Sequence, residues 1–142
     1  MNAALTTSST IDSLIGGFRA HLLGRPLPAP VAVTLHPKTG DVAVLPEGGL
    51  DVPLHLGNIL LWAYTLAEIT AEWSHTESGR LHVSVHGRTT SGTHVKVYGG
   101  CEFTDCHGLI SLKVGESEGM SLDELYTLVG LLREAQHERE AA

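Results

Sequence analysis

Two groups of residues have the types and spacing to do chemistry. The first is an alternating run. His82, Ser84, His86 and Arg88, then His94, Lys96 and Tyr98, recur at every second position, with Val83, Val85, Val95 and Val97 between them. A period of two places each set on one face of a strand pair. Imidazoles, a guanidinium, an ammonium and a phenol on one face can hold a phosphate or carboxylate, and histidine can move protons near neutral pH. No carboxylate lies in register to orient a histidine, and Ser84 beside them is a weak nucleophile signal. The second group is Cys101, Cys106 and His107. Two thiolates and an imidazole make three-quarters of a zinc site, which His94 would complete across the hairpin. The ligands do not form two close-spaced doublets, so zinc is the lesser expectation and no cofactor the main one. The two cysteines are also not spaced as a CxxC redox motif.

Positioning these groups requires a hairpin. A three-residue loop, Thr90-Ser91-Gly92 with Gly92 left-handed, pairs Arg88 with His94, His86 with Lys96, and Ser84 with Tyr98. A slip of one residue would mix the valine and histidine faces, so the alternation selects this register. Glycines 99 and 100 then suggest a bulge before Cys101 and Phe103.

The other elements follow from period and punctuation. Residues 1–9 are small and polar and suggest a flexible tail, leaving 10–142 as one domain. A helix fits residues 10–23, with Ile11, Leu14, Ile15, Phe18 and Leu22 on one side and Gly24 and Pro26 as its stop. Residues 31–36 and 41–45 are β-rich and flank Pro37-Lys38-Thr39-Gly40, a hairpin. Residues 55–73 fit a second helix. Asn58, Thr65, Glu68 and Glu72 form its narrow polar stripe, and apolar side chains fill the remaining girth. One sheet face cannot cover so wide an apolar surface. Ile59, Trp62, Leu66 and Trp73 are therefore the candidate interface residues. Residues 109–114 suggest a last strand, 115–119 a loop, and Ser121-Leu122-Asp123-Glu124 a capping box opening a final helix, with Met120 and Leu125 as its staple. Residues 136–142 are expected to fray.

The order is α-ββ-α-βββ-α: an α+β fold with an antiparallel sheet of about five strands and three helices. It resembles that of the roadblock family and, less closely, of small secretion chaperones. The resemblance implies a dimeric adaptor; it rests on element order over most of the chain and assigns no residues.

Composition narrows the function. The chain has 142 residues, 42% of them hydrophobic, and a net charge of −7. That suits a single packed domain and excludes wholesale disorder. Residues 31–79 and 116–142 each carry −5, whereas 80–115 carries +2 and four of the nine histidines. An acidic chain argues against nucleic-acid binding through phosphates. The absence of a long apolar run argues against a membrane span, and the N-terminus has no signal-peptide pattern, so the expected place is the cytoplasm. Only three lysines occur, a usage typical of GC-rich coding sequences. The expected function is a non-catalytic adaptor or regulator that binds another protein, as a homodimer. The alternative is a module that binds an anionic ligand or nucleic acid through His82, His86, Arg88, His94, Lys96 and Tyr98. A metal-dependent enzyme is the least favoured reading.

Overall fold

The computed structural model describes residues 3–141. Helix α1 spans Ala3–Leu22, followed by β1 Pro30–His36 and β2 Asp41–Pro46. Helix α2 spans Val52–Ala63, and then come β3 Ala67–His75, β4 Arg80–Arg88 and β5 His94–Glu102. A 3₁₀ turn at Phe103–Cys106, strand β6 Ser117–Met120 and helix α3 Leu122–Ala141 complete the chain. Among the described residues no helix is long and apolar enough to cross a membrane.

The fold is α+β with three helices, as its sequence suggests, but the sheet is mixed and has six strands in the order β1-β2-β5-β4-β3-β6. Five antiparallel strands were the expectation. Four neighbour pairs are antiparallel, and β2 runs parallel to β5. The parallel contact follows from connectivity. Helix α2 carries the chain from β2 to β3, and the β3-β4-β5 meander then returns β5 alongside β2 in the same direction.

The β4–β5 register is the one the alternation selects. Arg88 faces His94, His86 faces Lys96, and Ser84 faces Tyr98. Gly92 has φ 88° and the Thr89 amide donates to the Thr93 carbonyl at 2.9 Å. The faces separate accordingly. Val42, Val44, Val83, Val85, Val95 and Val97 are fully buried, packed with Leu56, Ile59 and Leu60 of α2 and with Leu125, Leu128 and Val129 of α3. The opposite face carries the histidines, which are half-buried.

The second helix is shorter than expected. It starts earlier, because Asp51 accepts from the Leu54 amide at 3.1 Å and Pro53 sits in the first turn. It stops at Ala63. The Thr65 and Leu66 amides turn back to Trp62 and Ala63 carbonyls, and the Thr65 hydroxyl donates to the Trp62 carbonyl at 2.7 Å. Residues 67–75 are strand β3 instead. Ala67, Ile69, Ala71 and Trp73 alternate with Glu68, Thr70, Glu72 and Ser74, so a strand sends Trp73 opposite Val83 on the covered face and Glu72 opposite Ser84 on the other.

Further expectations differ. Strand β5 passes Gly99 and Gly100 in unbroken register with β4, without the expected bulge, and helix α3 runs on to Ala141 instead of fraying from residue 136. Helix α1 is already formed at Ala3, inside the stretch expected as tail; Met1 and Asn2 of that stretch lie outside the described residues. Residues 109–114 are loop, and the strand is Ser117–Met120, paired with the outer edge of β3. Backbone groups just before β6 close turns: Glu116 donates to Lys113, and Gly115, at φ 85°, donates to His75. The capping box is formed as expected: the Glu124 amide donates to Ser121 Oγ and the Ser121 amide to Glu124 Oε1, each at 3.1 Å.

Candidate functional site

Three places gather chemistry. On the uncovered sheet face, the His86 and His94 rings lie 5.5 Å apart at 21°. Lys96 Nζ sits 5.6 Å from the Tyr98 ring centre, and His82 is tilted against Tyr98 at 6.4 Å. Arg88 is drawn aside: its Nε meets Glu68 Oε2 at 3.0 Å and it also donates to the Gly92 carbonyl. Burial pushes the His82 pKa below its ordinary 6.5, with Lys96 adding to the shift and Glu72 opposing it. Burial also lowers that of His86, aided by His94 and Lys96 and opposed by Glu72 and Asp41. These imidazoles are therefore neutral at neutral pH, and the face is less cationic than its sequence suggests. Ser84, between His82 and His86, is buried and presents no reachable nucleophile. At the end of the face lies a cavity of about 420 Å³, lined among others by Val31, Leu45, Thr76, Arg80, His82 and Tyr98. Arg80, which bridges to Glu102 at 2.9 Å, was not among the residues singled out.

The second place is a groove of about 590 Å³ between α2 and α3. Leu54 and Leu61, seven residues apart, and Tyr64 present it from α2, and Tyr126 and Leu131 from α3. All five are exposed, Leu61 by 52% and Tyr126 by 64%. Arg133 and Glu134 also line it, the Arg133 guanidinium lying against Gly57 of α2. The interface residues expected from sequence lie elsewhere. Ile59, Trp62, Leu66 and Trp73 are all buried within the chain's own core. Trp62 is covered by Phe18 of α1, its ring stacked at 6.0 Å and 7°, and its Nε1 donates to the Pro28 carbonyl at 2.9 Å. Trp73 points to the covered face from β3, and its Nε1 donates to Glu118 at 2.8 Å. The wide apolar girth is real, but the part left facing outward is the Leu54–Leu61–Tyr64 stripe. That stripe is visible in the sequence only once the core side of the helix is known.

The third place is the cysteine pair. Cys101 is the next-to-last residue of β5 and Cys106 ends the 3₁₀ turn; both are buried, with sulfurs 3.9 Å apart. His107 does not join them. Its backbone is left-handed at φ 52° and its Nε2 meets Arg139 of α3 at 2.9 Å. His94 lies at the far end of β5. Among the described residues no group of three or more His, Cys, Asp or Glu side chains is placed to hold a metal ion.

Two buried histidines escaped the sequence reading. His21 Nε2 lies 2.8 Å from Thr65 Oγ1, and its pKa is lowered by burial and by Arg25. Since the Thr65 hydroxyl proton goes to the Trp62 carbonyl, His21 is the donor in that pair. It ties α1 to the end of α2. His55 bridges α2 to β5. No spacing signal marks either residue, because each acts across 44 or 45 positions of chain. No family model matches this chain, and no curated protein and no solved structure matches it either.

Proposed function

We propose that this protein is a non-catalytic adaptor or regulator that acts by binding protein, and that it does so as a homodimer with the α2–α3 groove as its contact surface. One observation carries the reading. Of the thirteen large apolar side chains exposed among the described residues, five, Leu54, Leu61, Tyr64, Tyr126 and Leu131, gather around a single groove. Clustered exposed apolar side chains with charged groups beside them are what a protein contact surface needs. Tyrosines at its edge suit a surface that is wet when free and dry when bound. Sedimentation equilibrium of the wild type and of Leu61→Asp tests it. The wild type should be a dimer at micromolar concentration and the variant a folded monomer. A wild-type monomer overturns the homodimer, and a Leu61→Asp dimer overturns the groove as its contact surface.

A second reading has its own support. His82, His86, His94, Lys96 and Tyr98 share the face that no helix covers, and the 420 Å³ cavity flanked by Arg80 opens at its end. This face suits a small anionic ligand. Titration with inorganic phosphate at two salt concentrations tests it: weaker binding at high salt, and loss in Lys96→Ala, are the expected results. Binding that ignores both salt and Lys96 removes this reading.

A further inference from the structure

We propose that Cys101 and Cys106 are a modification site: a thiol pair that closes to a reversible disulfide when the protein meets a hydroperoxide. The sulfurs stand 3.9 Å apart with no bond between them. A disulfide needs about 2.05 Å, so the pair must close by about 2 Å, within the reach of side-chain rotation. The local chain favours this. Cys101 is fixed at the end of β5 by pairing with Leu81, whereas Cys106 ends a single 3₁₀ turn and is followed by His107 and Gly108, both left-handed. One partner is anchored and the other sits where the backbone reverses.

The two thiols differ in role. The hydrogen bond shared by the two sulfurs holds the Cys106 pKa down against burial, and the same bond, with burial, pushes that of Cys101 up. Cys106 also sits in the turn, on the side that can move, so it is the attacking sulfur and the strand-held Cys101 the resolving one. The Cys106 thiolate attacks one peroxide oxygen, the O–O bond breaks, and hydroxide leaves with the bonding pair. Cys106 is then a sulfenic acid. The Cys101 sulfur attacks that sulfur, the S–O bond breaks, and water leaves once the Cys101 proton and the hydroxyl combine. Two thiols have lost two protons and two electrons, and hydrogen peroxide has become two waters.

Burial sets the selectivity. Cys106 is wholly shielded and Cys101 nearly so, which excludes a bulky disulfide such as oxidised glutathione and leaves the sulfurs to a peroxide that enters as the turn after Cys106 opens. The adjacent Cys101 also intercepts the sulfenic acid before a second peroxide can reach it. The bond would close a short ring and pin the turn to β5. The same turn carries Phe103, stacked on His75 at 3.6 Å, and leads to His107, which Arg139 of α3 holds.

The full-length reduced protein, treated with graded hydrogen peroxide and then alkylated in denaturant, tests the proposal by intact mass. The expected product has lost the mass of two hydrogens, takes up no alkyl group, and regains both sites after a dithiol reductant. Both thiols should disappear together, and the oxidised protein should melt at or above the temperature of the reduced one. Oxidised glutathione should act much more slowly than peroxide. The Cys101→Ser variant should accumulate a sulfenic acid on Cys106, trapped by a dione reagent. If that variant does not fold, the thiol count of the wild type still decides. The proposal is overturned if Cys106 goes to the sulfinic acid while Cys101 remains alkylatable, if both thiols survive peroxide that oxidises methionine, or if the cross-linked protein melts lower than the reduced one.

Discussion

His55 on α2 accepts a hydrogen bond from the backbone N–H of Gly100 on β5, at 3.2 Å. Its Nδ1 lies 3.3 Å from the Glu47 carbonyl, so the ring carries its proton on Nδ1 and joins two backbone groups. Strand β2 pairs with β5 only along Asp41–Val44 and His94–Val97. Beyond Val97 the imidazole satisfies the amide that the strand has left behind, so helix and sheet are stitched at the point where the 420 Å³ cavity opens.

This stitch depends on Gly99. A Cβ at that position would run into the His55 ring and would lie 2.9 Å from Ile59 Cδ1. Neither neighbour can yield without loss, because one is hydrogen-bonded at both nitrogens and the other is fully buried. Gly99→Ala should therefore cost about 1–3 kcal/mol, the usual range for overpacking a core. Urea unfolding followed by circular dichroism measures it. Gly16→Ala, at a helical site with nothing within 4 Å, is the control and should be neutral or slightly stabilising.

The capping box gives a second measure. Ser121 and Glu124 each satisfy the other's backbone amide at 3.1 Å, so Ser121→Ala leaves the Glu124 amide without its partner. A loss of about 1 kcal/mol is expected, read as a lower urea midpoint with an unchanged slope. Ser117→Ala, on an exposed residue of β6, should change little.

These two cases mark how far the sequence could be followed. The Ser121 cap and the β4–β5 register rest on local patterns, and local patterns suffice for them. Strand β3 is different. Ile59, Trp62, Leu66, Ile69 and Trp73 recur at spacings of three and four, which suits a helix. Ala67 to Ser74 also alternates, which suits a strand, and no glycine or proline stands between Asn58 and Glu77 to separate the two. The edge of β4 decides it by offering Val83 and Val85 as partners to Trp73 and Ala71. The groove is hidden for a related reason. Periodicity shows that α2 is apolar around most of its girth, but which sector stays bare depends on where α1 and α3 pack, and that is set across the whole chain.

The uncovered sheet face should make stability depend on acid. His82 and His86 have pKa values below 6.5 in the folded chain because burial and the charges of Lys96 and His94 disfavour their protonated forms. The unfolded chain then binds protons at a higher pH than the folded one does. Stability is unaffected by this pair above about pH 6.5 and falls as pH drops from there through the folded pKa values. Melting temperatures at pH 7.5 and 5.0 should differ less in a His82→Gln, His86→Gln double variant than in the wild type. An identical drop in both proteins would show that other groups drive the acid sensitivity.

Leu61 and Trp62 are neighbours in sequence and should give opposite results. Trp62 is under Phe18 and hydrogen-bonded to the Pro28 carbonyl, with 1% of its surface exposed. Trp62→Ala removes a large buried ring and leaves a cavity among α1, α2 and the sheet, which should cost about 3–5 kcal/mol. Leu61 stands half-exposed on the groove side of the same helix turn. Alanine is the better helix former and loses little burial there, so Leu61→Ala should change monomer stability by less than about 0.5–1 kcal/mol. Its effect should fall on association, as a weaker dimer in sedimentation equilibrium at the same monomer stability. If instead Leu61→Ala unfolds the chain, the leucine is holding the monomer together, and the groove is part of the core rather than a surface kept free for a partner.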